Sequence, residues 1–209
     1  MIFEISVGEI QQMLIKQLNS FFPISDKEIT LLDLEIHNVI ERCERCFEKN
    51  KNKYYSKEGL TYFNPFHSSQ YATFLYFFSN SIFKYRKDVQ LANKLYYLNK
   101  IMNACDLFYE VELPEIFMFD HPVGSVMGRA EYGNYFSFGQ NCTVGNNKGI
   151  FPRIGEGVRM AANSMILGNS AIGDNVIIGA GACVKDENVP ANSIVFGFSP
   201  NLIVKQIIL

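Results

Sequence analysis

Histidine is scarce in this chain: of 209 residues only His37, His67 and His121 are of that type. Catalytic zinc sites of the three-histidine kind need three imidazoles around one ion. The second half of the chain contains only His121, which excludes such a centre there. An excess of charge is missing too. Nineteen basic residues face twenty-one acidic ones, for a net charge of −2. No broad basic face is implied, so neither nucleic acid nor an acidic membrane surface is expected as a partner. Long apolar runs are absent: the longest, YATFLYFF at 71–78, is too short to span a bilayer and reads as a buried helix. The opening MIFEISVGEIQQMLIK carries Glu4 and Glu9 inside its apolar run, with no basic lead and no small-residue cleavage site, a pattern unlike a signal peptide. The five cysteines are an odd count, which without an export signal points to reduced thiols and a cytoplasmic location. Cys43 and Cys46 form a Cys-x-x-Cys, but no second pair follows at zinc-like spacing, so no metal is expected.

What is present is a globular composition, 48% hydrophobic and 19% charged. Its pattern changes near residue 110. The expected organisation is an α-helical domain over 1–105 followed by a left-handed parallel β-helix over 106–209. In the first part, Ser25-Asp-Lys-Glu28 has the form of a capping box. Ile29, Leu32, Ile36, Val39, Cys43 and Phe47 then recur at three- and four-residue steps, the signature of one helix face. His37 falls on the opposite face with Asp33 and Glu41, as a solvated helix histidine. Further helices are expected over about 68–84 and 88–104. The stretch FNPFHSSQY, 63–71, mixes Asn64, His67, Ser68 and Gln70 with aromatics. It reads either as a helix start capped by its polar residues or as a patch for a sugar ring.

The second part follows another rule. Val126, Tyr132, Phe138 and Val144 recur every six positions. Ile154, Met160, Ile166, Ile172, Ile178 and Val184 repeat the period after a step of ten. The following residue is often Gly or Ala, and the position four after the apolar one is small or β-branched. A helix cannot give this period and a two-sided strand alternates every two residues. Six residues suit a short flat strand and a tight turn, so three units close one triangular coil of a β-helix. Coils of this class are left-handed, an exception to the usual right-handed crossover. The step of ten predicts a loop of four additional residues at NNKGIFP, 146–152.

FMFDHPVGSVMG, 117–128, sets Asp120 and His121 in apolar surroundings at the entry to the repeats. With Asp106, Gly124, Thr143-Val-Gly145, the Pro152-Arg-Ile-Gly155 step, the IGAGA of 178–182 and the closing Gly197-Phe-Ser-Pro200, this region resembles the serine acetyltransferase family of hexapeptide-repeat acyltransferases. The resemblance covers about residues 105–205. It implies acetyl-CoA as co-substrate, with His121 as general base for an acceptor hydroxyl. Asp106, fifteen residues earlier, would fix its tautomer. Asp120 would face the acceptor. The apolar company of His121 would form a dry wall that limits thioester hydrolysis. Gly145, Ala162, Gly179, Ala180 and Ser199 would line the CoA groove, with Arg153 and Lys205 as candidates for phosphate contacts. A homotrimer would place two walls around the site, and trimers could pair through the helices.

The chain departs from that family just before Pro152. The family has a histidine and a basic residue there, which help hold serine; this chain has Ile150 and Phe151, on a shorter loop. Phe151 could pack on a sugar ring, which favours a sugar hydroxyl of a surface polysaccharide or its precursor as acceptor. Asn64, His67 and Gln70 are candidate helpers in binding it. L-Serine is the alternative acceptor, although the short ending VKQIIL offers little tail for docking on a partner synthase. A non-catalytic β-helix scaffold is the alternative class, disfavoured by the presence of both Asp106 and His121.

Overall fold

The computed structural model describes residues 1–50 and 52–207. They form two compact units. The first comprises Met1–Asn103 with Phe108–Glu110, the second Ala104–Leu107 with Val111–Leu209.

The first unit holds helices α1 (Val7–Phe21), α2 (Asp26–Glu48), α3 (Ser68–Ser81) and α4 (Val89–Asn103). A small sheet orders β1 (Ile2–Phe3) beside β3 (Leu60–Phe63) and β2 (Ser56–Lys57). Capping boxes start α1 at Ser6 and Glu9 and α2 at Ser25 and Glu28, satisfying backbone N–H groups that the first turn leaves open. The recurring face of α2 is the buried one: Leu32, Ile36, Val39, Cys43 and Phe47 are all inside. The apolar run 71–78 lies within α3, which is buried on every side from Ser69 to Ser81 and forms the centre of the unit. Its polar residues are paired. Arg42 Nη1 donates to Asn80 Oδ1 at 2.9 Å and Ser81 Oγ at 2.8 Å, with its guanidinium 4.3 Å from the Phe77 ring centre. Burial pushes the Cys43 thiol well above its usual value, with the neighbouring Cys46 adding to the rise, so Cys43 stays a protonated, buried thiol. Among the described residues no helix is long and apolar enough to cross a membrane.

The second unit is a parallel β-solenoid with three faces, the left-handed β-helix expected of such repeats. One face stacks β4 (Asp106–Leu107), β6 (Val126–Met127), β9 (Thr143–Gly145), β12 (Met165–Leu167) and β15 (Cys183–Lys185). The next stacks β7 (Glu131–Tyr132), β10 (Arg153–Ile154), β13 (Ala171–Ile172) and β16 (Asn188–Val189). The third stacks β5 (Phe117–Phe119), β8 (Phe136–Phe138), β11 (Arg159–Met160), β14 (Ile177–Ile178) and β17 (Ser193–Phe196), and β18 (Ile203–Gln206) closes it antiparallel.

The six-residue period appears as three buried columns. Leu107, Met127, Val144, Ile166 and Val184 fill the first face, and Ile154, Ile172 and Val189 the second. Phe119, Phe138, Met160, Ile178 and Val195 fill the third. The first series needs one correction. Val126 pairs with Thr143 and points outward, 42% exposed, while Met127 pairs with Val144 and points inward. The corner from Met127 to Tyr132 takes five steps where the one from Ile166 to Ile172 takes six, which shifts the phase by one there. Corners use left-handed backbone, which Asn, Asp and Gly adopt most readily. Asn141 and Asn163 stack at one corner, Asn175 and Asn192 at another, each pair joined side chain to side chain. Buried serines complete the corners: Ser164, Ser170 and Ser193 each donate to the carbonyl three residues earlier.

The loop at 146–152 is a tight hairpin. Asn147 and Ile150 exchange both backbone hydrogen bonds, at 3.0 Å each, around Lys148 and Gly149. Both have positive φ, 52° and 79°. That is the primed turn whose twist suits a two-residue hairpin. Ile150 and Phe151 leave it exposed, at 50% and 41%.

Coil spacing makes some glycines obligatory. A Cβ on Gly133 would lie 2.5 Å from the backbone of Gly155 and Glu156, whereas one on Gly145 would meet only the Leu167 side chain at 3.5 Å. Gly133→Ala is expected to destabilise the unit by about 1–3 kcal/mol, the usual range for overpacking. Gly145→Ala should leave it unchanged. Thermal melts of the two variants check the contrast.

Candidate active site

His121 owes its position to a corner that is longer than its neighbours. Register pairs Phe119 with Phe138 and Val126 with Thr143. The chain therefore takes seven steps from Phe119 to Val126, where the next coil takes five from Phe138 to Thr143. The following coils also take five, from Met160 to Met165 and from Ile178 to Cys183. The two additional residues bulge outward and carry the imidazole with them. His121 adopts left-handed backbone, φ 51°, and its carbonyl accepts from Val123 N–H at 2.8 Å. Ser125 anchors the bulge below: its Oγ donates to Gly139 O at 2.7 Å and accepts from Cys142 N–H at 3.0 Å.

The result is an exposed histidine: 87% of its side chain is accessible in the single chain. The expected dry wall is not formed by its sequence neighbours, because Phe117 and Phe119 point into the solenoid core and are buried there. Strand alternation explains the difference, since Met118 alone of the three faces outward. The charged neighbour of the imidazole is Asp120, with Oδ1 3.7 Å from Nε2. Asp106 borders the same bulge through the backbone. Its N–H donates to Ser125 O at 2.8 Å, and Ala104 O accepts from Gly124 N–H at 2.8 Å. Burial pushes the adjacent Cys105 thiol up to about 12, with Asp106's charge adding to the rise, so it offers no thiolate nucleophile.

A cavity of about 390 Å³ lies against this corner and the outer side of the third face. Asp120, His121, Ser137, Gln140, Arg159 and Ala162 contribute to its lining. The stacking is regular. Asp120, Ala161 and Gly179 link to the neighbouring coils through Asp120 N–H to Phe138 O, Ala161 N–H to Ile178 O and Gly179 N–H to Val195 O. His121, Gln140, Ala162 and Ala180 therefore stand in one column along a single corner. Four of the residues expected at the site, His121, Ala162, Gly179 and Ala180, are brought together in this way. Gly179 is also a packing requirement, since a Cβ there would lie 2.7 Å from Val195 O.

Apart from Asp120 and Asp106 beside the bulge, the other expected residues lie elsewhere. Gly145, Ile150 and Phe151 belong to the corner between the first and second faces, and Arg153 lies on the second face beside Glu131, its strand partner. Ser199 Oγ accepts from Lys185 N–H at 2.9 Å, and Lys205 lies on β18, 6.0 Å from the Phe196 ring centre. In the helical unit, Gln70 is fully buried. Its amide donates to Tyr54 O and Tyr62 O at 2.9 and 3.2 Å and accepts from Asn64 N–H at 2.6 Å. Asn64 Oδ1 accepts from Phe66 N–H at 2.8 Å, and His67 caps α3. Of the two readings of this stretch, the polar groups follow the helix-start one. Arg159 was not anticipated from sequence. Its signal was available, as a cation at the outward position of a core strand whose register partners, Ser137 and Ile177, are uncharged.

With this geometry in view, the comparisons fall into line. The family model for the bacterial transferase hexapeptide, six repeats, matches residues 151–186. A serine acetyltransferase of Staphylococcus epidermidis is 28% identical over 152 residues, 65% of this chain and 65% of that protein. The chain thus spans just under two thirds of the length of that relative. A crystal structure of Neisseria gonorrhoeae serine acetyltransferase in complex with serine superposes with a TM-score of 0.69 at 25% identity, covering 93% of this chain and 83% of the other. A serine acetyltransferase in complex with CoA shares the fold, with a TM-score of 0.67 at 21% identity over 86% of this chain and 74% of that one. The repeat and the solenoid define a hexapeptide-repeat β-helix protein. Within that fold, the chain is similar to serine acetyltransferases.

The left-handed backbone at His121 separates two substitutions. His121→Val places a β-branched residue in a conformation that costs about 1–2 kcal/mol. His121→Asn places there a residue that adopts it readily. A lower melting temperature for the first and an unchanged one for the second is the expected result of differential scanning fluorimetry.

Proposed function

We propose that the protein is an O-acetyltransferase that uses acetyl-CoA, with His121 as general base. The observation that carries this reading is the two-residue extension that lifts one imidazole off an otherwise regular corner, over a cavity large enough for a small acceptor. Neutral imidazole accepts the proton of the acceptor hydroxyl as its oxygen attacks the thioester carbonyl. A C–O bond forms, the C–S bond breaks, and the imidazolium returns the proton to the leaving CoA thiolate. Asp106 would orient the ring from below the bulge, and Asp120 would face the acceptor. Ala162, Gly179 and Ala180 would let CoA lie close along the His121 corner, with Gly145, Arg153, Ser199 and Lys205 contributing further along the solenoid.

A histidine this exposed needs a second wall to keep water from the thioester. One chain does not supply it, and Phe151 stands at another corner of the coil. Assembly as a homotrimer would set the Phe151 corner of one copy against the His121 corner of the next. Trimers could pair further through their helical units.

For the acceptor, the names of the relatives favour L-serine over the sugar hydroxyl expected from sequence, and serine is the first substrate to test. A sugar hydroxyl of a polysaccharide or its precursor remains the second reading. It is supported by the exposed, uncharged Ile150 and Phe151, where the serine acetyltransferase pattern has a histidine and a basic residue.

Purified protein with acetyl-CoA should release CoA thiol on addition of L-serine. Release with sugars and none with serine would transfer the assignment to the second reading. His121→Asn should lower the rate by about 10²–10⁴, the usual contribution of a general base, with oligomeric state unchanged by light scattering. A variant as fast as wild type would overturn the mechanism.

A further inference from the structure

Resting on the acetyltransferase reading, we infer that Arg159 binds a carboxylate of the acceptor and so selects hydroxy acids over neutral alcohols. Arg159 contributes to the lining of the cavity that holds Asp120 and His121, and it is the one permanent cation among the lining residues. The one carboxylate in that lining, Asp120, lies 3.7 Å from His121 Nε2 and is not ion-paired to Arg159. Arg159 is exposed, and its side chain makes no hydrogen bond or ion pair among the described residues. The register partners beside it, Ser137 and Ile177, carry no charge. Arg153, by contrast, has Glu131 as its strand partner.

The geometry suits a small bifunctional acceptor. Met118, Ser137 and Arg159 form one outward row across three adjacent strands of the third face. Two strand spacings, about 9.5 Å, therefore separate the Arg159 backbone from the strand that leads into His121. An arginine side chain directed along the row covers most of that distance. A hydroxyl at His121 and a carboxylate at Arg159 then fit one small molecule. Guanidinium matches a carboxylate in a two-pronged, charge-assisted pair. The hairpin 146–152 offers no such partner at Ile150 and Phe151, so the cation on β11 supplies what those residues lack. L-Serine and an acidic sugar such as a uronic acid both carry the required hydroxyl and carboxylate.

The test uses the full chain, as wild type, Arg159→Gln and Arg159→Lys. L-Serine and D-glucuronate are titrated calorimetrically with and without CoA. L-Serinamide and D-glucose serve as the matched acceptors without a carboxylate. At least one acid should bind wild type, and which one identifies the source of the carboxylate. Arg159→Gln should weaken it about tenfold or more, in line with a charge-assisted hydrogen bond, and Arg159→Lys should recover part of the loss. In turnover the acceptor KM should rise with kcat largely kept, while the KM for acetyl-CoA stays unchanged. The inference is overturned if neither acid binds wild type, if the neutral analogues bind as well as the acids, or if Arg159→Gln weakens CoA instead of the acceptor. Failure of wild type to bind CoA would count against the acetyltransferase reading alone. The CoA-free titrations with the two acids would still decide the role of Arg159.

Discussion

The second unit depends on one repeated interaction, the backbone hydrogen bond from each coil to the next. Corner N–H groups such as those of Asn141, Asn163 and Asn175 reach carbonyls one turn back, at Val123, Gln140 and Glu156. Buried peptide groups must be paired. A solenoid meets that demand only if each coil has the same perimeter as its neighbour, and from this follow the six-residue period, the inward apolar columns and the small corner residues. A residue that breaks the perimeter has to leave the wall. His121 and the hairpin around Lys148 and Gly149 are where this chain breaks it, and both carry exposed side chains.

Sequence made the repeats legible because the inward position is a strict steric and hydrophobic requirement. From Phe138 onward the apolar series falls on buried columns, and the ten-residue step falls on the hairpin. The phase error at Val126 comes from the corner between Met127 and Tyr132, since hydropathy counts residues and cannot register a corner that takes five steps in place of six. The capping box at Ser25 could be read directly because its donors and acceptors are three residues apart. The box at Ser6 has the same form, but the apolar run around it masks the signal.

The site was less legible than the fold. Asp120 and His121 stood out as a rare pair, but their surroundings were misjudged. Apolar letters flanking a histidine say nothing about which face of a strand they occupy, and Phe117 and Phe119 turned inward. Arg159 shows the converse. It sits in a segment whose interest lay in its inward partner Met160, and only the stacking of strands places it beside residues twenty and more positions away. The conflict over the acceptor has the same root. Relatives speak for serine through the shared solenoid, whereas Ile150 and Phe151 speak against the usual way of holding it. A cation from another strand offers a route by which both can be true.

The hairpin at 146–152 pairs its own backbone, with Asn147 Nδ2 donating to Asp186 Oδ2 at 2.6 Å as its side-chain tie to a later coil. Its two hydrogen bonds run between Asn147 and Ile150, and its tip adds nothing to the buried columns. Chemistry at the tip, Lys148 and Gly149, can change while the backbone bonds between coils are kept. The solenoid thus separates heredity of fold from choice of substrate: two proteins of this architecture can share nearly all their coils and still differ in what they acylate, and overall likeness carries little information about the acceptor.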